Sequence, residues 1–360
     1  MKAAVTATEF YLPEGLLTNE DLCREFPDWT PAKIQEKTGI ESRRVASAEQ
    51  TSLDLAQQAC RRLLDSGVVD PAEVDFVLLC TQSPDYFLPT SACILQHRLG
   101  LRTSCGALDF NLGCSGFVYG LGIAKGLIET GQARKIILVT AETYSKFLHP
   151  HDRSVRTIFG DGAAATLIEA VDVNPDCIGP FVYGTDGSGA RNLIVPAGGM
   201  RDRSRNDSTA QKDEFGNERG PENLYMNGAE IFSFTLRSVP AAVQSLLQAT
   251  AKTLDDFDVV VFHQANQYML DQLRKKLKIP AERFYISMRT TGNTVSATIP
   301  IALCNAAKDG VLKNGATVML VGFGVGYSWA ATSITWNPLG KSVAHHDAAS
   351  LPTPKVRQQV

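Results

Sequence analysis

No apolar stretch in this chain of 360 residues approaches 18 in length, so the sequence predicts no membrane-spanning helix. Its eight cysteines form no C-x-x-C pair and are too sparse for a disulfide scaffold. That excludes the common thiol metal sites and points to a reducing compartment. Charge of one sign is also lacking, since the formal net charge is −3 and charged residues make up 20% of the chain. A nucleic-acid surface is therefore not expected as the main business, while a local basic patch for an acidic ligand stays open. The opening residues MKAAVTATEFYLP have no long apolar core, because Glu9 and Pro13 interrupt it, and they do not read as a signal peptide. A cytoplasmic protein is expected. Two segments lack apolar periodicity. Arg201 to Glu222 is polar, charge-mixed and glycine-containing, and reads as a long surface loop that covers a site, meets a partner subunit or is simply solvated. Asn337 to Val360, with His345 and His346, reads as a mobile tail to which no chemistry is assigned.

What is present is the 44% apolar share of an ordinary globular protein, in a chain long enough for two domains or two fused halves. Short β-branched runs alternate with longer amphipathic stretches, the signature of an α/β layered fold. Buried strands are expected at 74–79, 135–139, 258–262 and 317–321, and helices at 52–66, 115–130, 229–252 and 295–308. The two halves also match one another. Asp75 to Leu79 corresponds to Asp258 to Phe262 at an offset of 183 residues, Ile136 to Val139 corresponds to Val318 to Val321 at 182, and Cys114 meets Asn293 at 179. Three matches in one order predict a duplication in which each half runs strand, helix, strand, glycine corner, helix, strand. The long period excludes a stacked solenoid. The turn-forming run Val173-Asn174-Pro175-Asp176 sets the boundary. An N-terminal half over 1–173, a C-terminal half over 174–336 and a tail over 337–360 are expected.

Cys114 stands where a strand-like run, Gly106 to Phe110, reaches a small-residue corner, Gly113-Cys114-Ser115-Gly116, and helical spacing begins. A thiol at a helix N-terminus meets unpaired N–H groups and the positive end of the dipole, so its pKa is expected below the free value of about 8.5. The other seven cysteines sit mostly among aliphatic neighbours and read as small hydrophobes. Of six histidines, His263 directly follows a buried strand, at the end of the sheet where α/β proteins keep their sites. A structural histidine is the plain alternative. Asn293, in Thr291-Gly292-Asn293-Thr294, occupies the counterpart of the cysteine position, or else is a turn asparagine that tolerates left-handed backbone. If the halves pack as a pseudo-twofold pair, these three side chains share a centre. A thiolate, an imidazole and an amide in one pocket suit acyl-thioester chemistry. The thiolate stores an acyl group, and N–H groups of His263 and Asn293 stabilise the enolate left when a malonyl thioester loses carbon dioxide. The loop Gly322-Phe323-Gly324-Val325-Gly326 is expected to add a backbone N–H, at Val325, to that of Cys114 in an oxyanion hole. It carries neither the lysine of a phosphate loop nor a dinucleotide pattern.

These residues together resemble the β-ketoacyl-acyl-carrier-protein synthase III family of the thiolase superfamily, over about Ala4 to Trp336. The matching motifs, in order, are Thr38-Gly39-Ile40, Gly113-Cys114-Ser115-Gly116, Asp152-Arg153 followed by Phe159-Gly160-Asp161-Gly162-Ala163, His263-Gln264-Ala265-Asn266, Gly292-Asn293-Thr294 and the Gly322 loop. The resemblance implies a thiolase-like fold, two duplicated α/β halves in five layers, α-β-α-β-α. It implies that Cys114 takes an acyl group from acyl-coenzyme A, and that His263 and Asn293 bind a malonyl thioester carried by acyl carrier protein or coenzyme A. Condensation with loss of CO2 then gives a 3-oxoacyl thioester, as in the initiation of fatty acid biosynthesis. Trp29, Arg153 and Asn266 are the implied coenzyme A contacts. The thioester is a substrate, no cofactor or metal is implied, and a homodimer with its sheets joined across the interface is.

Several positions depart from the family pattern. Lys33 stands nearer the usual tryptophan position than Trp29 does. Tyr268 replaces a basic residue common in members that use acyl carrier protein, with Arg274, Lys275 and Lys276 nearby. Val295 replaces the serine that commonly follows Asn-Thr, and Val325 interrupts the glycine loop. The trio is intact and the changes touch docking and pocket surfaces, so a specialised acyltransferase or ketosynthase of secondary metabolism is the alternative. Papain-like hydrolases share the order Cys, His, Asn, with 149 residues between Cys114 and His263 here, but the C-G-S-C-W signature is missing. A silent partner subunit would tolerate loss of the trio, which is complete.

Overall fold

The computed structural model describes residues 1–173, 176–203 and 210–341, and two mixed sheets organise it. The first holds β1 (Lys2–Tyr11), β2 (Phe76–Cys80), β3 (Gly106–Phe110), β4 (Lys135–Glu142) and β5 (Gly162–Val171), in the order β1-β5-β4-β2-β3. The second holds β6 (Ile178–Thr185), β7 (Val259–Phe262), β8 (Thr317–Gly324) and β9 (Ser328–Thr335), in the order β6-β9-β8-β7. β2 pairs in parallel with β3 and β4, and β7 with β8; the other pairings within these two sheets are antiparallel. Both sheets therefore follow one succession of strands. Only β3 lacks a full counterpart, replaced in the second sheet by a single parallel bridge from Val260 to Phe284. This shared topology supports the two-half reading. Asn174 and Pro175 of the expected boundary lie outside the described residues.

Helices fill the remaining layers. α1 (Ser52–Asp65) and α2 (Ser91–Arg98) cover the outer face of the first sheet, and α3 (Gly116–Glu129) lies between the sheets. α4 (Gly228–Thr250) and α5 (Gln267–Leu277) are the outer layer on the second sheet, and α6 (Thr298–Lys308) shares the middle layer with α3. The five expected layers are all present. Sequence explains which helix goes where. α1 opens on a capping box between Thr51 and Asp54 and buries one stripe, including Leu53, Ala56, Cys60 and Leu63. α3 touches both sheets and is apolar nearly all round, burying Phe117, Val118, Leu121, Ala124 and Ile128, as a helix covered on two sides requires.

The expected strands and helices stand close to their predicted bounds, with one correction near the C-terminus. β8 runs on to Gly324, in register with β9 from Gly322↔Ala330 to Gly324↔Ser328. The Gly322 segment is thus a strand end and a turn, because pairing with β9 satisfies its backbone. The polar stretch from Arg201 to Glu222 is also not all loop. Gln211–Lys212 pairs with Glu218–Arg219, and Arg219 meets Asp152 at 2.8 Å, which lays this hairpin beside Arg153. Residues 204–209 lie outside the described residues. The mobile tail expected from Asn337 onward is not found over its first residues, 337–341, which are anchored to the first sheet. The Asn337 N–H donates to the Val5 carbonyl at 3.1 Å, and Lys341 pairs with Glu169 at 2.5 Å. Residues 342–360, with His345 and His346, lie outside the described residues. Among the described residues no helix is long and apolar enough to cross a membrane.

Candidate active site

β3 ends at Phe110 and α3 begins at Gly116, so the corner between them presents Cys114 just ahead of the N-cap Ser115. The thiol is 6% exposed and belongs to an apolar cluster with Phe159, Val295 and Phe323. A Cβ on Gly324 would lie 2.9 Å from its Sγ, so a side chain at the end of β8 would occupy the space of the thiol. The backbone N–H groups of Cys114 and Val325, the pair expected to form an oxyanion hole, both favour the charged form of the sulfur. The expected fall in pKa is not found. Burial pushes the thiol up to about 12, charge on Glu142 acts in the same direction, and the two N–H groups offset only part of the rise. Dehydration of a thiolate in this dry corner outweighs the helix end. The resting thiol is therefore neutral.

His263 follows the last residue of β7, donates its backbone N–H to Val321 O at 2.8 Å and is 2% exposed. Its ring meets Phe323 edge-on, with centroids 5.5 Å apart. Phe323 and Gly324 are neighbours, so imidazole and thiol both approach the end of β8. Nδ1 lies 2.7 Å from Thr298 Oγ1, and Nε2 lies 3.5 Å from Asn293 Nδ2. Burial pulls the imidazole down to about 3, leaving a neutral ring at neutral pH.

Asn293 is held by its backbone to the Phe159-Gly160 segment, donating to Ile158 O at 2.9 Å and accepting from the Gly160 N–H at 3.0 Å. Gly292 makes that corner with φ +71, and a Cβ there would stand 2.9 Å from Arg43 Cγ and 3.0 Å from Ile158 O. The Val295 N–H donates to Asn293 Oδ1 at 2.9 Å, which turns the amide NH2 toward His263. For that bond Val295 takes φ +56, a strained left-handed conformation for a β-branched residue.

Away from the thiol, the structure brings Trp29 and Arg153 together, with the guanidinium 5.7 Å from the indole. Lys33 and Lys37 each lie 5.1 Å from the same ring. Lys33 thus joins Trp29 instead of displacing it. Three cations around one indole suit a flat heterocycle bearing phosphates. Asn266 has a structural task, capping α5 through a 2.8 Å bond from the Met269 N–H to its Oδ1, so only its NH2 is left for a ligand. Tyr268 is 55% exposed and stacks on Phe232 at 5.6 Å. Of the basic residues beyond it, Lys276 donates to Leu236 O at 2.8 Å and Arg274 lies 4.0 Å from Asp271. A cavity of about 430 Å³ is lined by Leu17, Val45, Leu148, Arg156 and Phe159 among others. Of these, Leu148 and Phe159 join the cluster around Cys114.

Two site residues escape the sequence reading. Glu142 ends β4 fully buried, accepting from the Gln82 N–H at 3.1 Å, Ser83 Oγ at 3.0 Å and Ser296 Oγ at 2.9 Å. Burial raises its carboxyl to about 8. A polar residue closing a buried strand is the signal that singles out His263, and Glu142 carries it too. Thr298 lies in the first turn of an apolar helix, and nothing local marks it. Among the described residues no group of three or more His, Cys, Asp or Glu is placed to hold a metal.

A family model described as 3-oxoacyl-[acyl-carrier-protein] synthase III matches residues 108–187, and its C-terminal companion matches 247–336. A β-ketoacyl-[acyl-carrier-protein] synthase III of Caldanaerobacter subterraneus subsp. tengcongensis is 36% identical over 335 residues, 93% of this chain and 98% of the relative. A solved 3-oxoacyl-(acyl-carrier-protein) synthase III superposes with TM-score 0.92 at 53% identity, covering 93% of this chain and 100% of the other. The priming β-ketosynthase of the R1128 polyketide biosynthetic pathway superposes with TM-score 0.80 at 29% identity, covering 93% and 96%. With likeness of sequence and fold running through both halves, this chain belongs to the β-ketoacyl-[acyl-carrier-protein] synthase III family.

Proposed function

We propose that Cys114 accepts an acyl group from acyl-coenzyme A and that His263 and Asn293 drive its condensation with a malonyl thioester. The reaction class, decarboxylating condensation by an acyltransferase that initiates fatty acid synthesis, goes with the family; the residue roles are ours. One observation carries them: a buried thiol just ahead of the N-terminus of α3, with His263 Nε2 and Asn293 Nδ2 side by side at 3.5 Å.

In the first half-reaction Cys114 Sγ bonds to the acyl carbon while the C–S bond to coenzyme A breaks. The thiol proton leaves with the coenzyme A sulfur. The N–H groups of Cys114 and Val325 stabilise the tetrahedral oxyanion. In the second, the malonyl carboxylate departs as CO2 and its bonding pair becomes an enolate, whose oxygen faces the N–H groups of His263 and Asn293. The enolate carbon attacks the acyl carbon on Cys114, the sulfur leaves as thiolate and takes a proton, and a 3-oxoacyl thioester is released. No metal or cofactor enters these steps. Trp29, Arg153, Lys33 and Lys37 receive the nucleotide end of coenzyme A, and acyl carrier protein brings the malonyl group.

We read the working unit as a cytoplasmic homodimer. β3 is an edge strand of the first sheet, Leu108 on it is 45% exposed, and the preceding Tyr86, Phe87 and Leu88 are 59%, 64% and 83% exposed. Such a surface calls for a covering partner. All eight cysteines are free, which suits a reducing compartment.

The test separates the two halves of the reaction. Incubation with acyl-coenzyme A adds one acyl mass to the peptide containing Cys114, and malonyl thioester then releases CO2. His263→Ala and Asn293→Ala suppress release about a hundredfold while leaving acylation within severalfold. Mass on another cysteine, or normal CO2 release in both variants, overturns the assignment. A second reading, a priming ketosynthase of secondary metabolism, is favoured by the likeness to the R1128 enzyme. A panel of acyl donors distinguishes it, by preference for an unusual starter.

A further inference from the structure

The neutral imidazole of His263 has one proton to place, and its two nitrogens have different neighbours. Nδ1 lies 2.7 Å from Thr298 Oγ1. That hydroxyl has two possible acceptors for its single hydrogen, His263 Nδ1 and Val295 O at 3.0 Å. Val295 O already accepts the backbone N–H of Thr298, so it does not need the hydroxyl. Nδ1 has no other protein partner among the described residues, and it is the shorter contact. The other nitrogen gives an independent indication. Asn293 Oδ1 is occupied by the Val295 N–H, so Nδ2 is the atom turned to Nε2, at 3.5 Å. That separation is long for a hydrogen bond and fits two N–H groups lying side by side toward a third atom.

We infer that Thr298 is a positioning residue that donates its hydroxyl to His263 Nδ1 and thereby keeps the ring proton on Nε2, beside the Asn293 NH2. The inference rests on the enolate-binding roles proposed for His263 and Asn293. It adds how the imidazole is kept in the one tautomer that donates from Nε2. Without the hydroxyl, the buried Nδ1 has no donor, and the proton gains by moving there to reach whatever acceptor is left. Nε2 then presents a lone pair to the enolate oxygen, which repels it. Thr298 is 3% exposed and touches neither the acyl group nor the thiol in this scheme, so acylation of Cys114 is independent of it.

The test compares wild type, Thr298→Val, Thr298→Ser and His263→Ala, each labelled with 15N-histidine. In wild type the His263 resonances, assigned by their loss in His263→Ala, show a pyrrole-type Nε2 and a pyridine-type Nδ1. Thr298→Val shifts Nδ1 toward the pyrrole type and lowers CO2 release from malonyl thioester about tenfold, with acylation of Cys114 unchanged. Thr298→Ser restores both the tautomer and the rate. A pyrrole-type Nδ1 in wild type overturns the inference without any variant. So does a slow Thr298→Val enzyme with unchanged tautomer, or one that loses acylation in equal measure. If instead His263→Ala releases CO2 normally, the underlying reading fails and not the tautomer assignment alone.

Discussion

Glu142 and Cys114 compete for charge in one buried region. A carboxylate there works against a thiolate, so whichever ionises first raises the other. With its carboxyl raised to about 8, Glu142 keeps its proton at neutral pH and spares the thiol that repulsion. The same shift links Glu142 to stability. Between its ordinary 4.5 and about 8 the folded state binds more protons than the unfolded, so stability falls as pH rises through that window. His263 has the opposite sense, lowered from 6.5 to about 3, so the unfolded state binds more protons there and stability falls as pH drops below 6.5. Glu142→Gln keeps the shape and an acceptor for the Gln82 N–H while removing the charge. Alkylation of Cys114 by iodoacetamide, followed by peptide mass, is expected to set in at lower pH in this variant. The thermal midpoint is expected to fall less between about pH 6 and pH 8 than in wild type. An unshifted alkylation profile would show that Glu142 does not tune the thiol. At this scale the sequence singles out Cys114 as the candidate nucleophile but reverses its pKa shift. The helix end is written in the residues around Cys114, whereas the dry walls come from Phe323 and Gly324 in the other half.

The corner Thr291 to Thr294 shows how one element holds chemistry in place. Gly292 is left-handed and pressed against Arg43 and Ile158, while Asn293 bonds across to Ile158 and Gly160. Gly292→Ala adds left-handed strain and a close contact, together about 2 kcal/mol or more of stability. The displaced Asn293 amide is expected to slow CO2 release more than acylation, since the thiol sits on the corresponding corner of the other half. Thermal melts and the two half-reaction assays check this, and equal losses in both would place the damage in the fold at large. Such corners are legible because glycine beside a polar residue interrupts two periodic runs. The antiparallel strands β1 and β5 are not. Both are buried along nearly their whole length and rich in alanine, so they show neither alternation nor strong strand preference. The missing fifth strand of the second sheet is equally silent, because a single bridge at Phe284 leaves no periodic trace.

For the whole molecule, the two sheets share one strand order and enclose α3 and α6, which carries the Cys114 and Asn293 corners to the middle layer. The duplication was readable as three offsets because buried parallel strands keep their apolar runs. The asymmetry between halves was not readable, and it bears on assembly. β3 completes the first sheet but leaves its outer edge unpaired, whereas the second sheet stops at β7 and the Phe284 bridge. The unpaired edge with Leu108 exposed at its centre, together with the exposed Tyr86, Phe87 and Leu88, is the surface that the proposed homodimer would join strand to strand. Because a twofold interface uses the same patch of both copies, one substitution introduces two charges into it. Leu108→Glu is therefore expected to halve the mass measured by light scattering, from twice the chain to once, with little change in the secondary structure seen by circular dichroism. Wild type running as a monomer, or Leu108→Glu remaining a dimer at micromolar concentration, would remove β3 from the interface. Because Tyr86 to Leu88 follows β2 while Cys114 follows β3, its parallel neighbour, on the same side of the sheet, a monomeric variant is also expected to lose acylation rate severalfold. Acylation at the wild-type rate in a confirmed monomer would instead make each chain's thiol site complete on its own.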